Sequence, residues 1–351
     1  MLVFAVAAML STTALPVGAA SSAPAHACPP GYSVIPTSVA PLCAHDTVHG
    51  IPAGARAAAY RPAAPRCYGD GVDGDRVQAL YVYQAGGAPR AGISDRIVRN
   101  WIPAIEGLVR ARSRGQGREI GVRWNMPGCR LRVDLVPLSA AALAPNPTVD
   151  DQVGRIIDAL SSLGYKARDR KYLVWVDAEA GPSFANARGT GPCGVGTVAS
   201  TDTSPLPNPF DQPTATNYHN GLAPLYALPF ATNFSLFGGT PCWGGGSTGA
   251  DTEAHELFHT LGAVQLSAPN SNGLGHCTDA PDLMCYSEHG VNVHQACPGY
   301  AKILDCGGDD YFNANPPSGS YLTTHWNIAN SSFLGASPLD AVPVKLPRSP
   351  V

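Results

Sequence analysis

His255, Glu256 and His259 stand as H-E-x-x-H inside the run Thr252-Glu253-Ala254-His255-Glu256-Leu257-Phe258-His259-Thr260-Leu261-Gly262. A helix turns once in 3.6 residues, so two imidazoles four apart share a face and can grip a single Zn²⁺. The carboxylate between them then faces the same cleft. A zinc site with three protein ligands keeps a fourth position for water and lowers the pKa of that water to about 7. Glu256 is placed to take the proton and return it to a leaving group, as general base and then general acid. The bland alternative is two surface histidines on an ordinary helix, where short motifs recur by chance.

Gly262 follows His259 by three residues and can end the helix in a left-handed turn that sends the chain back toward the metal. Farther on stands Asp282-Leu283-Met284-Cys285-Tyr286. Together these segments resemble the metzincin metallopeptidases, whose signature is H-E-x-x-H-x-x-G-x-x-H followed by a Met-containing turn beneath the zinc. The resemblance implies a zinc-dependent endopeptidase acting on peptides or proteins. It also implies a metzincin-like catalytic domain of α/β (α+β) class, with a mixed twisted sheet, helices packed on it, an active-site helix and an irregular, disulfide-tied C-terminal subdomain. Met284 would support the site hydrophobically without being a ligand. Tyr286, two residues after it, matches subgroups in which a tyrosine stabilises the oxyanion; a packed core tyrosine is the alternative.

The chain departs from the signature at one place: Gln265 stands where the family carries its third histidine. A neutral amide is a weaker zinc ligand than imidazole or carboxylate. His276 is the expected substitute, because it lies on the loop just before the Met-turn, which the family fold places under the metal. Its neighbour Cys277 could be tied to Cys285 across that loop. Gln265 itself, Asp279 and Asp282 remain as alternatives. A gluzincin pattern would need a downstream glutamate as third ligand, and the only glutamate after the motif, Glu288, stands beside a Gly- and Asn-containing turn and not on an obvious helix.

The elements that must position these residues begin near Val77. Val77 to Tyr83 reads as a strand, and Ile97, Val98, Trp101, Ile102, Ile105, Leu108 and Val109 recur at helical spacing, with Pro103 predicted to kink or bound that helix. Ile120 to Trp124 and Leu131 to Val136 are strand candidates. A second helix presents Val153, Ile156, Ile157, Leu160 and Leu163 on one face, and Tyr172 to Val176 is a buried strand. That order indicates helices packed on a sheet. Residues 178–249 are rich in Gly, Pro, Thr, Ser and Asn, and a connection that long is functional or conceals further elements. Within it Val195 to Ser200 is expected to be an edge strand to which an extended peptide could add.

The chain has 351 residues, 44% hydrophobic and 14% charged, enough apolar material for one large core or two modest ones. A net charge of -3 argues against a nucleic-acid partner, which would call for a basic surplus. The apolar start followed by small residues reads as a signal peptide over 1–27, too short for a membrane span, and secretion is expected. Residues 28–75 form a Pro/Ala/Gly-rich arm or pro-segment. Residues 76–345 are the expected catalytic domain, its upper part 76–265 carrying the active-site helix and its lower part 266–345 the Met-turn. All ten cysteines lie beyond the signal, and an even count in an exported chain argues for disulfides.

Two weaker signals complete the reading. Pro65-Arg66-Cys67 faintly resembles the cysteine switch of the matrixins, although Cys67 is expected to pair with Cys129 or Cys43. The acidic, glycine-rich segment Leu304 to Tyr311 could hold Ca²⁺, but it lacks the spacing of an EF-hand loop, and a disulfide-bound turn is the alternative. Beside the peptidase stand a catalytically silent secreted binding protein with a structural zinc, which Gln265 favours, and zinc-dependent hydrolysis of a non-peptide amide or ester.

Overall fold

The computed structural model describes residues 28, 32–38, 42–44, 61–182, 191–198, 224–235, 239–288, 290–336 and 341–343. The expected signal peptide over 1–27 lies outside them, as do parts of the 28–75 and 178–249 stretches.

The chain forms a mixed sheet with helices on both faces. Parallel strands β4 (Arg76–Gln84), β6 (Asp134–Leu138), β7 (Arg170–Glu179) and β9 (Leu225–Thr232) make its body. Strand β8 (Gly194–Val198) pairs antiparallel with β9, and β2 (Leu42–Ala44) and β1 (Ser33–Ile35) extend the sheet beyond it, giving the order β1-β2-β8-β9-β7-β4-β6. β7 is an apolar run because it lies between parallel neighbours with both faces covered.

Side chains alternate across a strand, and β4 and β7 divide accordingly. Val77, Tyr81, Leu173 and Trp175 join the core that contains Ile102, Ile105, Leu108 and Val109, together with Leu257 and Phe258 of the H-E-x-x-H segment. Leu80, Val82, Val174 and Val176 face the other way, onto Val153, Ile156, Ile157 and Leu160 of a helix whose first turn is capped by Thr148, the hydroxyl of which accepts from Asp151 N–H at 3.1 Å. Among the described residues the α-helices, in chain order, are α1 (Ile93–Arg96), continued by a wide π turn (Ile97–Trp101), α2 (Ile102–Gly115), α3 (Ala140–Leu143), α4 (Val149–Ser162) and α5 (Asp251–Thr260). The boundary expected at Pro103 is that π turn: proline lacks an N–H and crowds the carbonyl four residues back, and the wider turn lets the helix continue past it.

Two expectations differ from the structure. The Gly- and Pro-rich stretch 178–249 contains β9, one of the inner strands, which Pro229 disguised; Pro229 sits opposite Gly194, next to a register irregularity against β7. The expected edge strand is β8, but its outer edge is paired by β2 at Thr197 and Val198. Ile35, Leu42 and Ala44 of that hairpin are buried in the core on the α4 side.

Three small ribbons close the molecule. β3 (Arg66–Tyr68) pairs with β13 (Ala341–Pro343), β5 (Ile120–Val122) with β12 (Leu334–Ala336), and β10 (Asp279–Ala280) with β11 (His294–Gln295). The C-terminal segments therefore return to the N-terminal half. The ten cysteines pair as Cys28–Cys43, Cys67–Cys129, Cys193–Cys242, Cys277–Cys285 and Cys297–Cys306. Cys67 is thus tied to Cys129 and has no thiolate with which to cap a metal.

Candidate metal centre

The start of α5 is fixed by two carboxylates. Asp251 accepts from the backbone N–H groups of Ser247 and Thr248, each at 2.8 Å, and buried Glu253 accepts from Gly244 N–H at 2.8 Å and from the Trp175 indole at 3.3 Å. Burial pushes the Glu253 carboxyl up to about 7. At the other end Gly262 has φ 99°, the left-handed conformation glycine adopts without a Cβ penalty, and Ala263 N–H reaches back to Phe258 O at 3.1 Å. This turn presents the Ala263 carbonyl to His259, whose Nδ1 donates to it at 2.9 Å.

The other two imidazoles are oriented in the same way. His255 Nδ1 donates to Leu283 O at 3.0 Å, a carbonyl of the Asp282–Tyr286 turn. His276 Nδ1 donates to Glu288 Oε1 at 2.8 Å. With each Nδ1 facing an acceptor, the ring hydrogens belong there and the Nε2 lone pairs are left to point elsewhere. They point at one another: Nε2 to Nε2 is 2.9 Å from His255 to His259, 3.1 Å from His255 to His276 and 3.2 Å from His259 to His276. Ligands about 2.0–2.1 Å from a tetrahedral zinc stand about 3.3–3.4 Å apart, close to this triangle. All three rings are fully buried, and burial lowers the His259 imidazole to about 4, leaving it neutral at ordinary pH. These three residues can hold a metal ion.

The remaining candidates fall into place around the triangle. Gln265 is buried, and the triangle closes without it. Asp282 turns to Tyr311 Oη and to the N–H groups of Met284 and Cys306, at 2.7, 2.7 and 2.6 Å, while Asp279 groups with Asp309 and Asp310. Met284 is fully buried, and its carbonyl accepts from Cys277 N–H at 3.2 Å, beside the Cys277–Cys285 bridge. The half-buried Tyr286 ring lies 4.9 Å from that of His255 and 5.3 Å from that of His276, edge to face. Burial, and then the charge of Glu256, raise its hydroxyl above the ordinary tyrosine value.

No family model, curated protein or solved structure matches the chain.

Glu256 is buried beneath β8, where burial raises its carboxyl well above the ordinary range and the Gly196 N–H opposes that rise. Glycine is required there. A Cβ on Gly194 would stand 2.6 Å from Glu256 Cγ, and one on Gly196 would stand 2.7 Å from both Glu256 O and His259 Cβ. Lys302 secures the turn below, its Nζ donating to Asp282 O at 2.6 Å and Cys285 O at 3.2 Å and lying 5.2 Å over the Tyr286 ring.

Sequence reasoning missed Gly194, Gly196 and Lys302, and considered Glu288 only as a ligand. The Gly-x-Gly of β8 is a readable sign of close backbone approach; the neighbour it admits is set by tertiary structure alone.

Proposed function

We propose that the chain is a secreted zinc-dependent endopeptidase. The observation that carries this reading is the convergence of His255, His259 and His276 on one point with the Glu256 carboxyl on the same helix. Three imidazoles favour zinc over hard cations such as Ca²⁺ and Mg²⁺, which prefer oxygen. When bound, zinc supplies Lewis acidity, making water a nucleophile near neutral pH and polarising the carbonyl under attack.

The chain's own residues do the rest. Leu283 O, Ala263 O and Glu288 hold the imidazoles in the Nδ1–H tautomer. Glu256 takes the proton of the attacking water and returns it to the leaving amine. Tyr286 donates its hydroxyl hydrogen to the oxyanion. An extended peptide would add along the outer edge of β8 near Gly194, beyond the segment paired by β2 and the Gly196 N–H that Glu256 engages. Five disulfides support maturation in an oxidising compartment, and among the described residues no helix is long and apolar enough to cross a membrane.

One observation favours a second reading, a catalytically silent zinc-binding protein: Glu256 has no exposed surface. Digestion of casein and of short peptides by the zinc-loaded chain separates the two. The peptidase reading expects cleavage that a chelator stops and that Glu256→Gln reduces about 10²- to 10⁴-fold with zinc retained. Zinc-loaded protein with no chelator-sensitive cleavage of any substrate would defeat it.

A further inference from the structure

Five aspartates gather below the Met-turn: Asp279, Asp282, Asp305, Asp309 and Asp310. They are not equivalent. Asp305 is spent on the backbone, its Oδ1 accepting from the N–H groups of Gly308 and Asp309 at 2.8 and 3.0 Å and its Oδ2 from those of Tyr311 and Phe312 at 2.8 and 2.5 Å. Asp282 is likewise satisfied by Met284 N–H, Cys306 N–H and Tyr311 Oη.

Asp279, Asp309 and Asp310 bring one carboxylate oxygen each within 4.8 Å of one another. Asp310 has no exposed surface; its Oδ1 accepts from Asn270 N–H at 2.8 Å, and its Oδ2 has no hydrogen-bond donor. Asp309 Oδ1 is buried without a donor as well. Asp279, 2% exposed, has its Oδ1 3.3 Å from Cys285 Sγ, a disulfide sulfur with no proton to give. Asp309 Oδ1 and Asp310 Oδ2 are thus buried carboxyl oxygens without a hydrogen-bond donor, and each lacks the partner that burial demands.

We propose that Asp279, Asp309 and Asp310 form a calcium site, separate from the histidine centre. All-carboxylate ligation selects a hard cation. Two oxygens each about 2.4 Å from one calcium ion can stand up to about 4.8 Å apart, and water completes a flexible shell of 6–8 oxygens. Sequence distance gives the site its purpose. Asp279 lies between His276 and the Met-turn, whereas Asp309 and Asp310 belong to the loop after Cys306. A cation there braces the loop that presents His276 against the C-terminal segment.

The test is calorimetric titration of CaCl₂ into the zinc-loaded full chain, first freed of calcium, with thermal melts beside it. The site predicts one saturable calcium per chain and a melting temperature that rises with calcium. Asp279→Asn and Asp310→Asn should each weaken calcium binding at least about tenfold with zinc content unchanged. In calcium-free buffer Asp310→Asn should melt at or above wild type, since its amide can donate to a neighbouring carboxylate that Oδ2 repels. No saturable calcium binding by wild type, or unchanged calcium affinity in folded Asp279→Asn and Asp310→Asn, overturns the proposal.

Discussion

Glu288 Oε1 receives two hydrogen bonds, one from His276 Nδ1 at 2.8 Å and one from the side-chain amide of Asn272. The first fixes which ring nitrogen of His276 carries hydrogen. The second holds the carboxylate on the loop whose residue 272 also binds the His276 backbone, Asn272 N–H to His276 O at 2.8 Å. Such carboxylate–histidine pairs raise the basicity of a metal-binding ring and hold its orientation.

Removing that carboxylate therefore weakens the metal site without deleting a ligand. Glu288→Ala is expected to lower zinc affinity about 10- to 100-fold, and Glu288→Gln by less, because its amide oxygen can still accept from Nδ1. Competition with a chromogenic chelator measures both. Equal affinity in wild type and Glu288→Ala would show that the pair does not tune the site.

Gly196→Ala forces a methyl group against backbone and a metal-site side chain, and overpacking of this kind costs about 1–3 kcal/mol. Thermal melts should show a drop of several degrees. Gly115→Ala is the control: its Cβ meets nothing within 4 Å, and alanine is the better helix former. Its melting temperature should hold or rise. A Gly196→Ala chain as stable as wild type would mean that β8 does not lie on α5 as described.

Tyr286→Phe keeps the ring beside the imidazoles and removes only the hydroxyl. If that hydroxyl stabilises the oxyanion, kcat falls about 10²- to 10³-fold with zinc content unchanged. An unchanged kcat would leave Tyr286 a packing residue.

Glu119 gives a pH dependence whose sign can be worked out. Arg66, Arg110 and Arg114 surround it at 2.6, 2.7 and 2.8 Å, and hydrogen bonding from Arg114 leads the effects that lower its carboxyl to about 2. A carboxylate whose folded pKa lies below its unfolded one stabilises the fold above the unfolded value, and that stability is lost as pH falls through the folded one. Wild type should thus lose about 2 kcal/mol relative to Glu119→Gln between about pH 4.5 and about pH 2. Parallel urea titrations across that window give the difference; matching acid profiles would rule out the contribution.

The legibility of this chain follows the range of its interactions. Helices α2 and α4 and the strands β4 and β7 were readable because their apolar periodicity is local. β9 was hidden by Pro229, whose tolerance depends on the strand opposite and a register irregularity. His255, Glu256 and His259 announce themselves by spacing on one helix, whereas His276 was expected only through the resemblance of Asp282–Tyr286 to a family turn. Glu288 as the partner of His276, the glycines over Glu256 and the meeting of Asp279 with Asp309 and Asp310 are relations across the fold that no local pattern encodes.

Zinc content of dialysed wild type, His276→Ala and Gln265→Ala tests most directly whether three imidazoles make the site. One zinc per chain in wild type and Gln265→Ala, with zinc lost from His276→Ala, is the predicted result. Zinc retained by His276→Ala and lost from Gln265→Ala would contradict it.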